Sequence, residues 1–462
     1  MQRPSQGLVI DGFTLAECLH KGGFATIWDC THPDHPGRLA MKVPTILDGF
    51  DAPTIVGFEV EQMIAPRLTG PHVPKVIALG DFSSMPYIVT EWIGGGSLLE
   101  VFKGAPLPLS DVLEMASRMT EAVVDLHRQH VIHFDLKPAN FLRRDSGAYV
   151  AIDFGLARHD HLPDLLAEEF TIPMGTFPYM APEQYLRQRD DLRTDIFTLG
   201  ALFYELATGR QPWGDPGSLR GVRKRLWRDP LPLRALRPDL PEWFQEIVLR
   251  CLEVDPKARY QSAGQLLFDL QNPGQVRLTA RAAKLRADGR LAVFRRWRAM
   301  RGVKRLSAPA GVGAQMDEAP VLMVAVDLSP EAEGLNRLLL TAVRRMLAVQ
   351  PDARVSCVNV LKTARIGIDS ATDEAGDHLH VMRLVALREW GAELALEEGR
   401  ISFSVLESSD PAAAIIAHAN RNRVDHIIMG ARGHSATRRY LGSVSAQVVS
   451  EASSSVTVVR VP

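Results

Sequence analysis

The sequence predicts an α+β domain of two lobes, an antiparallel sheet with one helix and then a mostly helical lobe, followed by an α/β domain built on a doubly wound parallel sheet. Three observations predict it. Between Phe13 and Val89 apolar residues come in short alternating runs, as in half-buried strands, whereas from Ser110 onward they recur at the three-and-four spacing of helices. Val321 to Val326 is an uninterrupted apolar run, the pattern of a parallel strand covered on both faces.

In chain order, Phe13, Leu15, Glu17 and Leu19 alternate with smaller residues, Lys21-Gly22-Gly23-Phe24 turns the chain, and Thr26-Ile27-Trp28 returns, which predicts a hairpin. Leu39 to Val43 is the next strand. A helix carrying Glu61 is expected from about Thr54 until Pro66 stops it, and Tyr87-Ile88-Val89 is a further strand. Ile196, Leu199, Phe203 and Leu206 mark a buried helix stripe, and Gln271-Asn272-Pro273-Gly274 breaks the helical pattern.

Between Arg277 and Leu306 eleven Lys or Arg face one acidic residue, Asp288, with Leu291, Val293, Phe294 and Trp297 interleaved. We read a basic amphipathic linker, packed on a flanking domain in preference to docking on an acidic partner or a lipid surface. Ser307 to Ala319 is then a flexible joint. Beyond it, Leu335, Leu338, Ala342 and Met346 predict a helix, Val355 to Val360 a strand, Ile415 to Ala419 part of a helix, Ile427 to Met429 a strand, and Val456 to Val461 a final strand. The resulting domains are 8–270, 271–318 and 319–462.

The chain has 462 residues, 46% hydrophobic, with a formal net charge of -1, enough for two cores and without bulk attraction for polyanions. Nucleic acid is therefore not an expected partner. Met1 to Leu15 lacks a signal-peptide core and no apolar run reaches membrane-spanning length, so a soluble cytoplasmic protein is expected. Cys18, Cys30, Cys251 and Cys357 have neither metal-ligand spacing nor the density of a disulfide scaffold. Cys18 and Cys30 flank the Phe24 turn symmetrically, and we read them as two small strand residues in preference to a redox pair.

The chemistry is concentrated in His133-Phe134-Asp135-Leu136-Lys137-Pro138-Ala139-Asn140 and, eighteen residues after Asp135, in Asp153-Phe154-Gly155. This spacing supplies a base for a hydroxyl proton (Asp135), a cation for phosphate (Lys137) and two metal ligands (Asn140 and Asp153), the set that phosphoryl transfer needs.

On these residues the first 270 or so positions resemble a Hanks-type Ser/Thr protein kinase, the bacterial counterpart of the eukaryotic enzymes. Leu39-Ala40-Met41-Lys42 is similar to the family's Val-Ala-Ile-Lys, so the resemblance makes Lys42 the phosphate-pairing lysine and, counting back from Leu68 and Pro71, Glu61 and not Glu59 its helix partner. Met180-Ala181-Pro182-Glu183, Arg259 and Asp195 resemble the end of the activation segment, the arginine that pairs with its glutamate, and the aspartate that braces the catalytic loop. Lys137 and Gly175-Thr176 resemble the Ser/Thr-specific type. Further nucleotide-binding positions implied are Leu19, Gly22, Gly23, Ile27 and Glu91. ATP and Mg2+, with Mn2+ as an alternative metal, and Ser/Thr-bearing protein substrates complete the expectation.

Two departures bear on it. The nucleotide-covering turn, Gly-x-Gly-x-x-Gly-x-Val in the family, here has His20, Gly22, Ala25 and Ile27, which predicts weakened or altered but retained ATP affinity. Phe134 stands where regulated kinases have an arginine that holds a phosphorylated loop, so activity is expected not to need phosphorylation at Thr171 or Thr176. The alternative reading is a pseudokinase scaffold that binds nucleotide without catalysis. A small-molecule kinase is disfavoured by Ala181-Pro182-Glu183 and Arg259.

Val324-Ala325-Val326-Asp327-Leu328-Ser329, Met429-Gly430-Ala431-Arg432-Gly433 and Leu441-Gly442-Ser443 make the C-terminal segment similar to a universal stress protein domain. In ATP-binding members Asp327, Gly430, Gly433, Gly442 and Ser443 would surround the nucleotide. Here eight residues separate Gly433 from Gly442, one fewer than usual, so a nucleotide site and a regulatory or dimerising module stand as equal readings. Such domains pair through their last strand, which implies a homodimer through Val456 to Val461.

Overall fold

The structure, a computed structural model, describes residues 3–23, 25–45, 52–83, 85–169, 172–260, 262–271, 273–306, 321–350, 353–363, 378–396, 401–421, 424, 426–431 and 443–460. Strands β1 (Val9–Ile10), β2 (Phe13–Lys21), β3 (Ala25–His32), β4 (His35–Pro44), β5 (Val76–Gly80) and β6 (Tyr87–Glu91) form one antiparallel sheet in the order β1-β2-β3-β4-β6-β5. Alternation buries Phe13, Leu15, Trp28, Cys30, Met41 and Val89 on one face. Helix α1 (Ala52–Ile64) packs beside β4 and ends in a 3-10 turn that contains Pro66. Cys18 lies opposite Trp28, and Cys30 opposite both Leu15 and Leu39, so the two thiols do not meet and both are free.

The second lobe holds α2 (Leu99–Lys103), α3 (Leu109–Arg128), α4 (Leu165–Glu169), α5 (Pro182–Tyr185), α6 (Arg193–Thr208), α7 (Leu219–Arg223), α8 (Leu233–Leu236), α9 (Glu242–Cys251) and α10 (Ala263–Gln271). α6 is its axis. Every residue of α6 except Glu205 is buried, so the stripe legible in sequence understates a helix that is covered on all sides. Two small ladders, β7 (Val131–Ile132) with β10 (Arg158–His159) and β8 (Phe141–Arg143) with β9 (Tyr149–Ala151), fix the loops that carry Asp135 and Asp153.

The basic stretch clings to this lobe. Arg281 pairs with Glu246 and Glu253 at 2.9 and 2.8 Å, and Lys284 and Arg296 pair with Asp229 at 3.0 and 2.6 Å. Helix α11 (Arg290–Ala299) buries none of its residues, so its positive charges balance an acidic flank of the lobe instead of building a core. The expected joint 307–319 lies outside the described residues.

Strands β11 (Val321–Ala325), β12 (Arg354–Lys362), β13 (Ile401–Ser408), β14 (His426–Ala431) and β15 (Ser455–Arg460) form a parallel sheet in the order β13-β12-β11-β14-β15. Helices α12 (Glu333–Val349) and α13 (Leu379–Ala392) cover one face, α14 (Pro411–Arg421) and α15 (Ser443–Glu451) the other. This is the expected double winding. The sequence reading had passed over β13, although Ile401, Phe403 and Val405 alternate, and over α13 and α15.

Candidate active site

Two elements of the first lobe and one loop of the second converge on one side chain. Lys42, on β4, pairs with Glu61 of α1 and with Asp153 at 2.7 Å. α1 runs close to the Asp153-Phe154-Gly155 turn: a Cβ on Gly57 would sit 3.1 Å from the Gly155 carbonyl, so any other residue would have to push the two backbones slightly apart. Burial opposes the charge on Lys42, yet Asp153 and Glu61 hold its ammonium above the usual lysine range. Desolvation likewise opposes ionisation of Asp153, and Lys42, Lys137 and His133 overcome it, bringing its carboxyl down to about 2. It is therefore ionised at any neutral pH. Burial pushes Glu61 upward, against the pull of Lys42.

The loop that carries Asp135 is fixed from below. Asp195, at the start of α6 and fully buried, accepts from the amides of His133 and Phe134 at 2.9 and 3.0 Å. Phe134 takes a left-handed φ of 63° and Asp153 one of 68°, conformations that cost a non-glycine residue of order 1–3 kcal/mol and persist only where the surroundings impose them. Asp135 is the best-anchored carboxylate of the cleft. Its Oδ1 accepts from the Thr176 amide and hydroxyl at 2.9 and 2.7 Å, and its Oδ2 from Lys137 at 2.7 Å. Asn140 spends its amide nitrogen on the Asp135 carbonyl at 2.9 Å.

The profile of the protein kinase domain matches residues 13–268, and that of the universal stress protein family matches 320–460. The chain belongs to the protein kinase family. Its C-terminal part is a universal stress protein domain. Relatives of the kinase include a probable serine/threonine-protein kinase of Streptomyces coelicolor, 30% identical over 265 residues, 56% of this chain and 39% of that one. Serine/threonine-protein kinase Pkn1 of Myxococcus xanthus is 29% identical over 301 residues, 64% and 43% of the two chains. PknB of Mycobacterium tuberculosis is 28% identical over 265 residues, 56% and 42%. The kinase thus spans about two fifths of the length of the curated relatives it matches. The crystal structure of the Mycobacterium tuberculosis PknI kinase domain gives a TM-score of 0.47 at 24% identity, covering 58% of this chain and 99% of that one.

Of the nucleotide-turn positions of the kinase, Gly22 closes the β2–β3 hairpin by donating to the Ala25 carbonyl at 2.9 Å, with Gly23 beside it at the open tip. Ile27 sits opposite His20, and Leu19 falls in the irregular stretch between the Cys18 and His20 pairs. Glu91 ends β6. Its side chain is committed to Arg144 at 2.6 Å, which holds its carboxyl below the usual range, and to the Lys75 amide at 2.8 Å.

Several residues escaped the sequence reading because ordinary spacing gave no signal for them. Arg225 is wholly buried and donates to the carbonyls of Phe177, Pro178 and Met180, the segment after Thr176. Gln184 donates to the Phe134 carbonyl at 2.7 Å. Arg189 lies 4.6 Å over the Phe134 ring while its Nε meets both oxygens of Asp164 at 3.1 and 2.9 Å. Here an aromatic stands in the place of the loop arginine, and a carboxylate pairs with a different arginine.

In the stress-protein domain Asp327 accepts from the Ser329 amide at 3.1 Å, a tight turn at the end of β11, and Ser443 begins α15. A Cβ on Gly430 would meet Leu335 at 2.3 Å, so this glycine is needed for packing of β14 against α12 whether or not a ligand binds. Gly433, Gly442 and Thr171 lie outside the described residues.

Proposed function

We propose that the chain is a Ser/Thr protein kinase that transfers the ATP γ-phosphate to protein hydroxyls, with its stress-protein domain as a regulatory or dimerising module. The observation that carries this reading is the Asp135 carboxylate, one oxygen set by Thr176 and the other by Lys137. That arrangement leaves an oriented base beside a cation able to follow a phosphate, and Thr176 and Lys137 are the residues whose resemblance is to the Ser/Thr type.

The residues present fit ATP with a divalent metal. Asp153 is ionised and its side chain 40% exposed to the cleft, and Asn140, with its nitrogen engaged, would offer Oδ1. Both are hard oxygen donors, suited to Mg2+ shared with phosphates, and Mn2+ would be accepted by the same set. The bound metal would neutralise phosphate charge. Lys42 orients the phosphates, Glu61 orients Lys42, Gly22 and Gly23 allow main-chain approach, Leu19 and Ile27 flank the base, and Asp135 takes the hydroxyl proton. A pseudokinase reading draws no support from any of these contacts. Incubating the full chain with labelled ATP, Mg2+ and a generic basic protein should label serine and threonine; absence of metal-dependent incorporation would overturn the reading.

The Asp164–Arg189 pair supports a loop that is anchored without phosphate. Thr171→Ala should keep roughly parental turnover, whereas Asp164→Ala should lose about tenfold or more, the size of a lost charge-assisted contact. Turnover at saturating ATP decides it, and a collapse of the Thr171 variant with an unaffected Asp164 variant would reverse the assignment. Pairing of two chains through β15 belongs to the same proposal, since that strand is an edge whose sheet neighbour is β14. No helix among the described residues is long and apolar enough to cross a membrane, and cytoplasmic residence is part of the proposal.

A further inference from the structure

The stress-protein domain is seated on the outer face of α1. Ile55 and Phe58 of that helix, with Phe82, form one buried cluster with Val381 and Leu384 of α13 and Val405 of β13. At its edge Arg388 of α13 pairs with Glu59 of α1, and its guanidinium lies 5.5 Å over the Phe82 ring. Glu59 and Glu61 are two positions apart, roughly 200° around a helix of 3.6 residues per turn, so they leave α1 on opposite sides. One side is tied to Lys42 and the other to the C-terminal domain.

The grip on α1 is energetically asymmetric. Glu59 is 5% exposed, burial pushes its carboxyl upward, and Arg388 and His380 are the positive groups that oppose this. Without Arg388 the buried carboxylate would lose its hydrogen-bonded partner, and besides taking up a proton it could be relieved by rotation or shift of α1 toward water. The same domain reaches a second element beside the site: α4, in the segment between Asp153 and Glu183, packs against α1 through Leu165 and Leu166 and also against β13 and α14. Arg383, five residues before Arg388 on α13, donates to the Leu328 carbonyl in the turn after β11 at 2.7 Å. α13 is thus wedged between that turn and α1.

We propose that the stress-protein domain is an activator in cis: α13, docked on α1, holds that helix where Glu61 reaches Lys42, and release of α13 disengages the phosphoryl-transfer site. This rests on the kinase reading for its consequence but not for the docking itself. Arg388→Ala is the test in the full chain, because the contacts of that side chain are with Glu59 and Phe82 and its loss spares the core of its own domain. Expected are faster amide exchange in 52–64, unchanged exchange in β11 and β12, and turnover lower by about tenfold or more, within the range of common couplings between sites. Arg388→Lys should recover part of the loss. Val381→Asp, at the apolar centre of the contact, should act in the same direction. Parental turnover and parental exchange in 52–64 for both Arg388→Ala and Val381→Asp would overturn the proposal. A parental chain inert toward every substrate would refute the kinase reading instead, and the difference in 52–64 exchange and in Mg-ATP affinity would then decide the brace by itself.

Discussion

Asp135→Asn should abolish phosphate incorporation, with a loss on the order of a thousandfold, while Mg-ATP should still bind near its parental affinity. The asparagine keeps the shape and can still accept from Thr176 at the Oδ1 position, where the two contacts are 2.9 and 2.7 Å. What it removes is the negative charge facing Lys137 and the capacity to take a proton. In the proposed function nucleotide contacts would fall to Lys42, Asp153 and the hairpin of Gly22 and Gly23, which the substitution does not touch. Filter-based incorporation and calorimetric titration of the same preparation measure the two halves. Equal losses in binding and turnover would point to collapse of the loop and against a chemical role.

Arg259→Leu should cost about 3–5 kcal/mol of kinase-domain stability, the usual penalty for orphaning one partner of a buried ion pair. Arg259 and Glu183 are 0% and 1% exposed and meet in two contacts of 2.6 and 2.8 Å. The guanidinium also donates to the carbonyls of Arg193, Glu253 and Val254, so the loss strands several acceptors as well as a charge. Thermal unfolding followed through the kinase transition should fall by several degrees, and adding Glu183→Gln should recover part of it, because the stranded charge is then gone. An unshifted transition in the single variant would mean that water reaches Glu183.

Asp135 was legible in the sequence for a chemical reason, whereas Arg259 was legible only through the family resemblance. Phosphoryl transfer requires a base, a phosphate cation and metal ligands within one short loop and one later turn, so Asp135, Lys137, Asn140 and Asp153 sit at nearly fixed offsets that no packing requirement would reproduce. Strands β2 to β4 and the parallel β11 could be read because their burial is one-sided or two-sided in a regular way. Helix α13 could not. Leu387 and Trp390 face its own sheet while Val381 and Leu384 face α1, so apolar residues surround the helix and no amphipathic stripe is left to detect.

Glu59 is the clearest case of what spacing leaves undecided. Register counting separated it correctly from Glu61 and left it without a task, because its partner Arg388 lies 329 positions away on another domain. The same holds for Asp164 with Arg189 and for Arg225 with the carbonyls after Thr176, where one charge meets another group across the fold. By itself the sequence determined the order of the domains, their sheet types and the candidate site side chains, since these follow from periodicity and from offsets that the proposed chemistry would impose. The tertiary structure alone decided which face of α1 meets the stress-protein domain, what anchors the activation segment beside Phe134, and where the basic stretch rests, because each depends on desolvating charges and apolar faces that are brought together only when the chain closes on itself.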